Sequence, residues 1–274
     1  LLWRQRVGLP DDWSARKHRL AIDDGQSDLA IQIVDSHDGV TRVFWDEHSD
    51  ALATWTPLRR IILSRMTPAQ AAGLAVAVAH HNLIGVGGYS PEAEHFAQVW
   101  TDAAPGRTKT LGNLLILHDL PKLLAPRHCA GKAQECTRRD VDLVWSWALA
   151  FRQEVDDRAP RPQKTSIDRG LARGTYWFWT VEGQPVSYAG LHWPSANSSR
   201  IGPVYTPNEL RGSGYASALV HHLAKRGSAN SRCTLFTDTT NVVSNKIYRA
   251  LGFRPGPAFQ EWNFTASAAE PETD

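Results

Sequence analysis

Two clusters of residues in the second half of this sequence have the types and spacing of a working site. The first is Arg211-Gly212-Ser213-Gly214-Tyr215-Ala216, lying between a strand-like stretch that ends at Thr206 and a stretch of helical periodicity. A loop of this kind gathers unpaired backbone N–H groups and the positive end of a helix dipole at one point, where they bind phosphate. Its glycines let another chain or ligand approach closely and accept positive φ. The second cluster is Asn241-Val242-Val243-Ser244-Asn245-Lys246-Ile247-Tyr248, followed by Leu251-Gly252-Phe253. Asn241 and Ser244 suit a helix N-terminus. Asn245 and Tyr248, three apart on that helix, share a face and can offer an amide and a phenol to one ligand.

Three phosphate-binding patterns compete for the first cluster. A P-loop needs GxxxxGK[ST], which is absent. A dinucleotide fingerprint is closer, with Gly212, Gly214, a following helix and strand, and Asp238 at that strand's end. Against it, Pro207-Asn208-Glu209-Leu210-Arg211 separate the strand from the first glycine, and Ser217 stands where a third glycine belongs. The stretch after Asp238 is also too short to complete a doubly wound sheet.

In the third pattern, Q/R-x-x-G-x-G/A, the specified positions are filled by Arg211, Gly214 and Ala216. This segment resembles motif A of the GNAT N-acyltransferase superfamily. The second cluster resembles that family's N-x-x-S-N-x-x-Y-x-x-x-G-F/Y helix, with Val242 in place of the usual proline. The resemblance covers about half the chain, from Thr137 to Phe264. It implies an α/β (α+β) fold, a mixed and mostly antiparallel sheet flanked by helices, and acetyl-CoA as co-substrate. In such proteins the loop amides, here Arg211 to Ala216, hold the coenzyme A pyrophosphate. The preceding strand, here Val204, Tyr205 and Thr206, pairs with the pantetheine arm, with Asn241, Ser244 and Asn245 at the far wall. Tyr248 is implied as the acid that receives the coenzyme A sulfur.

Acyl transfer to an amine requires a neutral amine, an oxyanion donor and provision for the departing thiolate. No covalent enzyme intermediate is needed, and a backbone N–H near Val204 to Thr206 can serve the oxyanion. Glu154, His192, Asp238 and Tyr205 are candidates for the base, and the sequence does not choose among them. Lys246 and Arg249 suit either a 3′-phosphate or solvent. The acceptor is an amine on a small molecule, peptide or protein lysine. A non-catalytic acyl-CoA-binding sensor or scaffold is the reading from another class.

Composition narrows the remainder. The 30 basic residues nearly balance the 28 acidic ones, and no long run of like charge appears, so no nucleic-acid partner is expected. No apolar run reaches the roughly 20 residues of a membrane span. Cys129, Cys136 and Cys233 form no CxxC pair, which points to a reducing, cytoplasmic compartment and no metal. The adjacent pairs His80-His81 and His221-His222 lack metal-ligand spacing. The family resemblance leaves room for a homodimer.

The elements that must position these residues follow from periodicity. Thr137 and Asp140 form a capping box ahead of a helix carrying Val141, Val144, Ala148, Phe151 and Val155 inward. Strands are expected at 175–181, 185–192 and 200–206, then the glycine loop, a helix to Gly227 and a strand at 233–237. The last helix should bury Val243, Ile247 and Leu251 and end at Gly252.

The first half, 1–126, reads as a divergent lobe, and 121–132, with two prolines and a glycine, as its linker. Leu29–Val34 and Thr41–Trp45 are read as a hairpin, Thr67-Pro68 opens a helix, a second helix follows Ser90-Pro91, and 111–117 is a strand. Gly85-Val86-Gly87-Gly88 lacks the acyl-CoA pattern. This lobe is a candidate degenerate copy of the same fold, as in two-lobed bacterial GNAT proteins. The catalytic domain is expected over 133–264, with 265–274 a disordered tail.

Overall fold

The computed structural model describes residues 2–21, 25–35, 39–155 and 161–266. The chain divides into two compact units, Leu1–Ile116 with Pro257–Asp274, and Leu117–Gly256. The expected boundary lay in 121–132 and the expected domain ran to 264. The observed division falls earlier, and the end of the chain returns to the first unit.

In the first unit β1 (Trp3–Val7), α1 (Trp13–Leu20), α2 (Asp28–Asp35), β2 (Arg42–Asp46), β3 (Leu52–Trp55), β4 (Ile61–Leu63), α3 (Pro68–Ala77), β5 (Gly85–Tyr89), α4 (Glu92–Asp102) and β6 (Arg107–Asp119) follow in order. Strands β1 to β4 pair antiparallel in sequence order, and β4 pairs with β5 in parallel. Strand alternation sends Val43 and Leu52 toward α1 and α2, while Phe44, Ala53, Ile61 and Leu63 face α3 and α4. The expected strand at 29–34 is instead α2, because Ala30, Ile31 and Val34 fall at helical spacing and all three are buried. Of the turn expected at 35–39, Asp35 ends α2 and residues 36–38 lie outside those described. The glycines of β5 serve close packing: a Cβ on Gly87 would stand 2.8 Å from Ile62, and one on Gly85 would stand 2.1 Å from the Trp262 carbonyl oxygen.

From β7 the order repeats, with β7 (Lys132–Glu135), α5 (Val141–Val155), α6 (Lys164–Ala172), β8 (Tyr176–Val181), β9 (Gln184–Ser195), β10 (Ser198–Tyr205), α7 (Tyr215–Gly227), β11 (Arg232–Asp238) and α8 (Val242–Ala250) in the second unit, then β12 (Arg254–Ala266), most of which belongs to the first. The pairing repeats as well, antiparallel from β7 to β10 and parallel between β10 and β11. Each run of ten elements therefore reads β-α-α-β-β-β-α-β-α-β. The closing strands are exchanged: β12 lies beside β5 in the first unit, and the end of β6 lies beside β11 in the second. Thr265 and Ala266, assigned to the tail, extend β12, and the residues beyond lie outside those described.

In the second unit α5 and α6 pack on Phe178, Tyr188 and Tyr205 on one face, while α7 and α8 cover Trp177, Leu191, Ile201 and Leu235 on the other. The Asp140 carboxylate accepts from the Thr137 N–H at 2.7 Å, starting α5 at the expected point. Val155 is exposed, so the buried stripe of α5 is shorter than its apolar pattern. The segment from Leu120 to Gly131 is irregular. The Leu124 N–H donates to the Leu251 carbonyl at 2.9 Å, and the Trp179 Nε1–H donates to the Ala130 carbonyl at 2.9 Å.

Candidate active site

The parallel ladder between β10 and β11 ends at Ile201 opposite Leu235, although β10 continues to Tyr205 and β11 to Asp238. The two strands part at this point. On its other side β10 stays paired with β9, but with a register shift between Ile201 and Val204, where Gly202 takes φ +147°. The His192 ring stabilises this irregularity, its Nε2–H donating to the Gly202 carbonyl at 2.7 Å. Burial and the nearby Arg200 charge push the imidazole down to about 3, so it is neutral at physiological pH. Beyond the shift, Ser187 Oγ donates to the Tyr205 carbonyl at 3.0 Å, and Thr206 Oγ donates to Ser187 Oγ at 2.9 Å. Val204, Tyr205 and Thr206 thus keep β10 extended past the point where β11 leaves it.

The glycine loop follows. Gly212 and Gly214 adopt φ +84° and +86°, in the left-handed region that favours glycine. Gly214 is the N-cap of α7 and supplies no side-chain acceptor, so the first-turn N–H groups of α7 are not capped from that position. Ser213, between the two glycines, is exposed, and Tyr215 and Ala216 are half-buried in the first turn. A Cβ on Gly214 would lie 3.7 Å from Cys129, so the irregular segment passes this helix end.

Opposite stands α8. Asn241 caps it through its side-chain oxygen, which accepts from the Ser244 N–H at 3.0 Å. Asn245 is fully engaged: its oxygen accepts from Thr237 Oγ at 2.8 Å, and its amino group donates to the carbonyls of Asp238 at 2.9 Å and Asn241 at 2.8 Å. The amide therefore fastens α8 to the end of β11. Tyr248 is 7% exposed and packs against Phe253. Burial pushes its phenol up to about 12, offset in part by a hydrogen bond with Ser244. Of the three residues expected to face inward from α8, Leu251 is buried and Ile247 packs against the same core, whereas Val243 is 69% exposed, and Tyr248 joins the buried face.

Three of the candidate bases have other partners. Glu154 is ion-paired with Arg211, His192 is held neutral at Gly202, and Asp238 accepts from the N–H and hydroxyl of Thr240. The fourth, Tyr205, is buried, and its phenol is raised by desolvation and by the Glu154 charge. Lys246 and Arg249 are exposed on α8. Among the described residues no cluster of three metal-ligating side chains occurs, and no helix is long and apolar enough to cross a membrane. The Arg211–Glu154 pair was not foreseen, since nothing local in the sequence links residues 57 positions apart.

Parted parallel strands, with a glycine loop feeding the helix between them, are the arrangement that the resemblance to GNAT N-acyltransferases implies. Residues 141–253 match the acetyltransferase (GNAT) family, so the second unit carries a GNAT-family domain. No curated protein matches the sequence. Among solved structures, an acetyltransferase of the GNAT family from Colwellia psychrerythraea is similar over 97% of this chain and 100% of its own, at 13% identity and a TM-score of 0.61. A GCN5-related N-acetyltransferase from Sphaerobacter thermophilus is similar over 99% and 98%, at 12% identity and 0.60. A putative GNAT-family acetyltransferase from Novosphingobium aromaticivorans is similar over 91% and 96%, at 18% identity and 0.54. At these identities the likeness is one of fold.

Proposed function

We propose that the protein transfers an acetyl group from acetyl-CoA to an amine by direct attack, within the second unit. The observation that carries this reading is the overhang of β10 beyond its last pairing with β11, ending in a loop of left-handed glycines at an uncapped helix. The overhang offers main-chain groups to an extended amide-containing arm. The amides from Arg211 to Ala216 suit a pyrophosphate. Acetyl-CoA supplies an activated thioester. A β10 N–H in the stretch from Val204 to Thr206 is suited to stabilise charge on the thioester oxygen during attack.

Tyr248 assists the sulfur. A phenol raised to about 12 lies about 3.5 units above a thiol's reference of about 8.5, so full proton transfer to the thiolate is uphill. Its contribution is a hydrogen bond to the developing thiolate, which a phenol that stays protonated donates across the neutral range. Asn241, Ser244 and Asn245 act behind it, holding α8 and the end of β11 in register. The free thiols of Cys129, Cys136 and Cys233 suit a reducing, cytoplasmic setting.

Calorimetry with coenzyme A, acetyl-CoA and NAD tests the donor: both coenzyme A forms should bind, and binding of NAD alone would overturn the assignment. A panel of amines with detection of released thiol tests catalysis. Binding of acetyl-CoA with no turnover on any amine would favour the sensor reading.

A further inference from the structure

Arg211 is implied by family resemblance to lie at the donor phosphates, yet its side chain is committed within the protein. Its Nε–H donates to the Thr206 carbonyl at 2.8 Å, which closes 206–211 into a ring. One terminal nitrogen lies 2.8 Å from each Glu154 carboxylate oxygen. Glu154 stands near the end of α5, an element packed on the opposite face of the sheet from α7. The guanidinium also lies 5.8 Å from the centre of the Tyr205 ring. Three elements, α5, the end of β10 and the donor loop, therefore meet at one guanidinium.

We infer that Arg211 and Glu154 are positioning residues, a clamp that fixes the donor loop to α5 so that its amides are aimed before the donor arrives. This rests on the donor-loop reading above. Both side chains are nearly half exposed, at 45% and 41%, so the Coulomb attraction alone is small. The value of the clamp is geometric: a loop already in its binding conformation loses less freedom on binding. The pair is also asymmetric. The Glu154 carboxylate shares this corner with a loop suited to an anion, and Arg211 neutralises it. Removing the arginine loosens the loop and also unmasks a repelling charge, whereas removing the glutamate charge only loosens the loop.

A double-mutant cycle reads this difference. Coenzyme A affinity, measured by calorimetry, should fall about tenfold in Arg211→Ala and about threefold in Glu154→Gln, the scale of a small local network of charged hydrogen bonds. The double variant should recover to about threefold, because the unmasked charge is gone. Hydrogen exchange of the free protein supplies a second arm: the amides of Gly212, Ser213, Gly214 and Tyr215 should exchange faster in both single variants, with the melting temperature nearly constant. A double variant as weak as Arg211→Ala, or loop exchange unaltered in both single variants, overturns the clamp. If the wild-type protein binds no coenzyme A, the donor reading fails, and the exchange arm still decides the clamp.

Discussion

Helices α3 and α7 occupy the same place in two copies of one element order, and their first turns are completed in opposite ways. At α3, Thr67 Oγ accepts from the Gln70 N–H at 3.2 Å, the Gln70 side chain accepts from the Thr67 N–H at 2.8 Å, and Pro68 has no N–H to offer. The Thr67 and Gln70 N–H groups are therefore already used, and Pro68 offers none. At α7 the cap is a left-handed glycine without a side chain. The preceding strands differ in the same sense. β4 extends one residue beyond its last partner on β5, and β10 extends four beyond its last partner on β11. The first-unit helix start is closed by its own side chains, whereas the second leaves the main-chain groups that the proposed donor site would use. A cavity of about 480 Å³ persists at the end of α3, lined by Ser64, Arg65, Thr67, Tyr89, Ser90 and Glu92 among others, but without an amide cradle.

The sharpest way to break this contrast is to take the left-handed glycines from α7. Nothing lies within 4 Å of a Cβ on Gly212, and the nearest atom to one on Gly214 is 3.7 Å away, so alanine at both positions strains φ without a clash. Each left-handed alanine costs roughly 1–2 kcal/mol. If the loop relaxes to another conformation, coenzyme A affinity should fall by about 30- to 1000-fold. Calorimetry checks this, with circular dichroism showing the fold retained. An affinity within threefold of wild type would mean that the loop geometry is not what binds.

Next in size is Tyr248→Phe. The ring still fills the space beside Phe253, so coenzyme A binding should stay within about threefold while kcat falls about 10- to 100-fold, less than the roughly 100- to 1000-fold cost of losing an oxyanion-hole donor, because the thiolate is the better leaving group. Because burial raises this phenol to about 12, its neutral form persists well above pH 10. Ionisation of Tyr248 should therefore produce no alkaline fall in kcat below about pH 11. Unaltered turnover in the phenylalanine variant would remove the residue from the chemistry.

Much of the second unit was legible because its signals are local. The loop glycines, the Thr137–Asp140 box, the Asn241 cap and Gly252 at φ +98° each act within a few residues. The repeated element order of the first unit was harder to read because it carries no such local markers: the β5 glycines pack against Ile62 and Leu63. Helix α2 reads as a strand in sequence because its β-branched residues outweigh a periodicity spread over only two turns. Long-range features carried no signal at all. The exchange of β6 and β12, the Arg211–Glu154 pair and the consumption of the Asn245 amide by Thr237, Asp238 and Asn241 all depend on residues brought together by the completed sheet. Asn245 shows the difference between residue type and role: its place in the motif is plain in the sequence, while its hydrogen bonds face inward.

The β-pairing offers a further point of comparison. The β3–β4 register in the first unit is regular, whereas the β9–β10 register shifts at Gly202 and depends on His192. With its pKa lowered to about 3, folded His192 resists protonation, while the unfolded chain accepts a proton near 6.5. Its contribution to stability is therefore complete above about pH 6.5 and is lost as the pH falls toward 3. His192→Gln can keep the donor to Gly202 but cannot titrate, so its melting temperature should fall less steeply over that interval than that of wild type. Parallel slopes would show that the acid sensitivity arises elsewhere.

The smallest effect should come from Thr67→Ala, which tests the quiet side of the contrast. Losing the cap releases the Gln70 N–H and costs about 1 kcal/mol of stability, the ordinary value for such a residue. One N–H group freed at α3 does not rebuild a donor site, because Pro68 still interrupts the turn and no glycine loop precedes it. Coenzyme A affinity and stoichiometry should therefore match wild type while the melting temperature drops by a few degrees. A second binding event in the titration of this variant would mean that the cap alone had silenced the first unit. In that case the difference between the two copies would reduce to one side chain rather than the combined loss of overhang, glycines and amides.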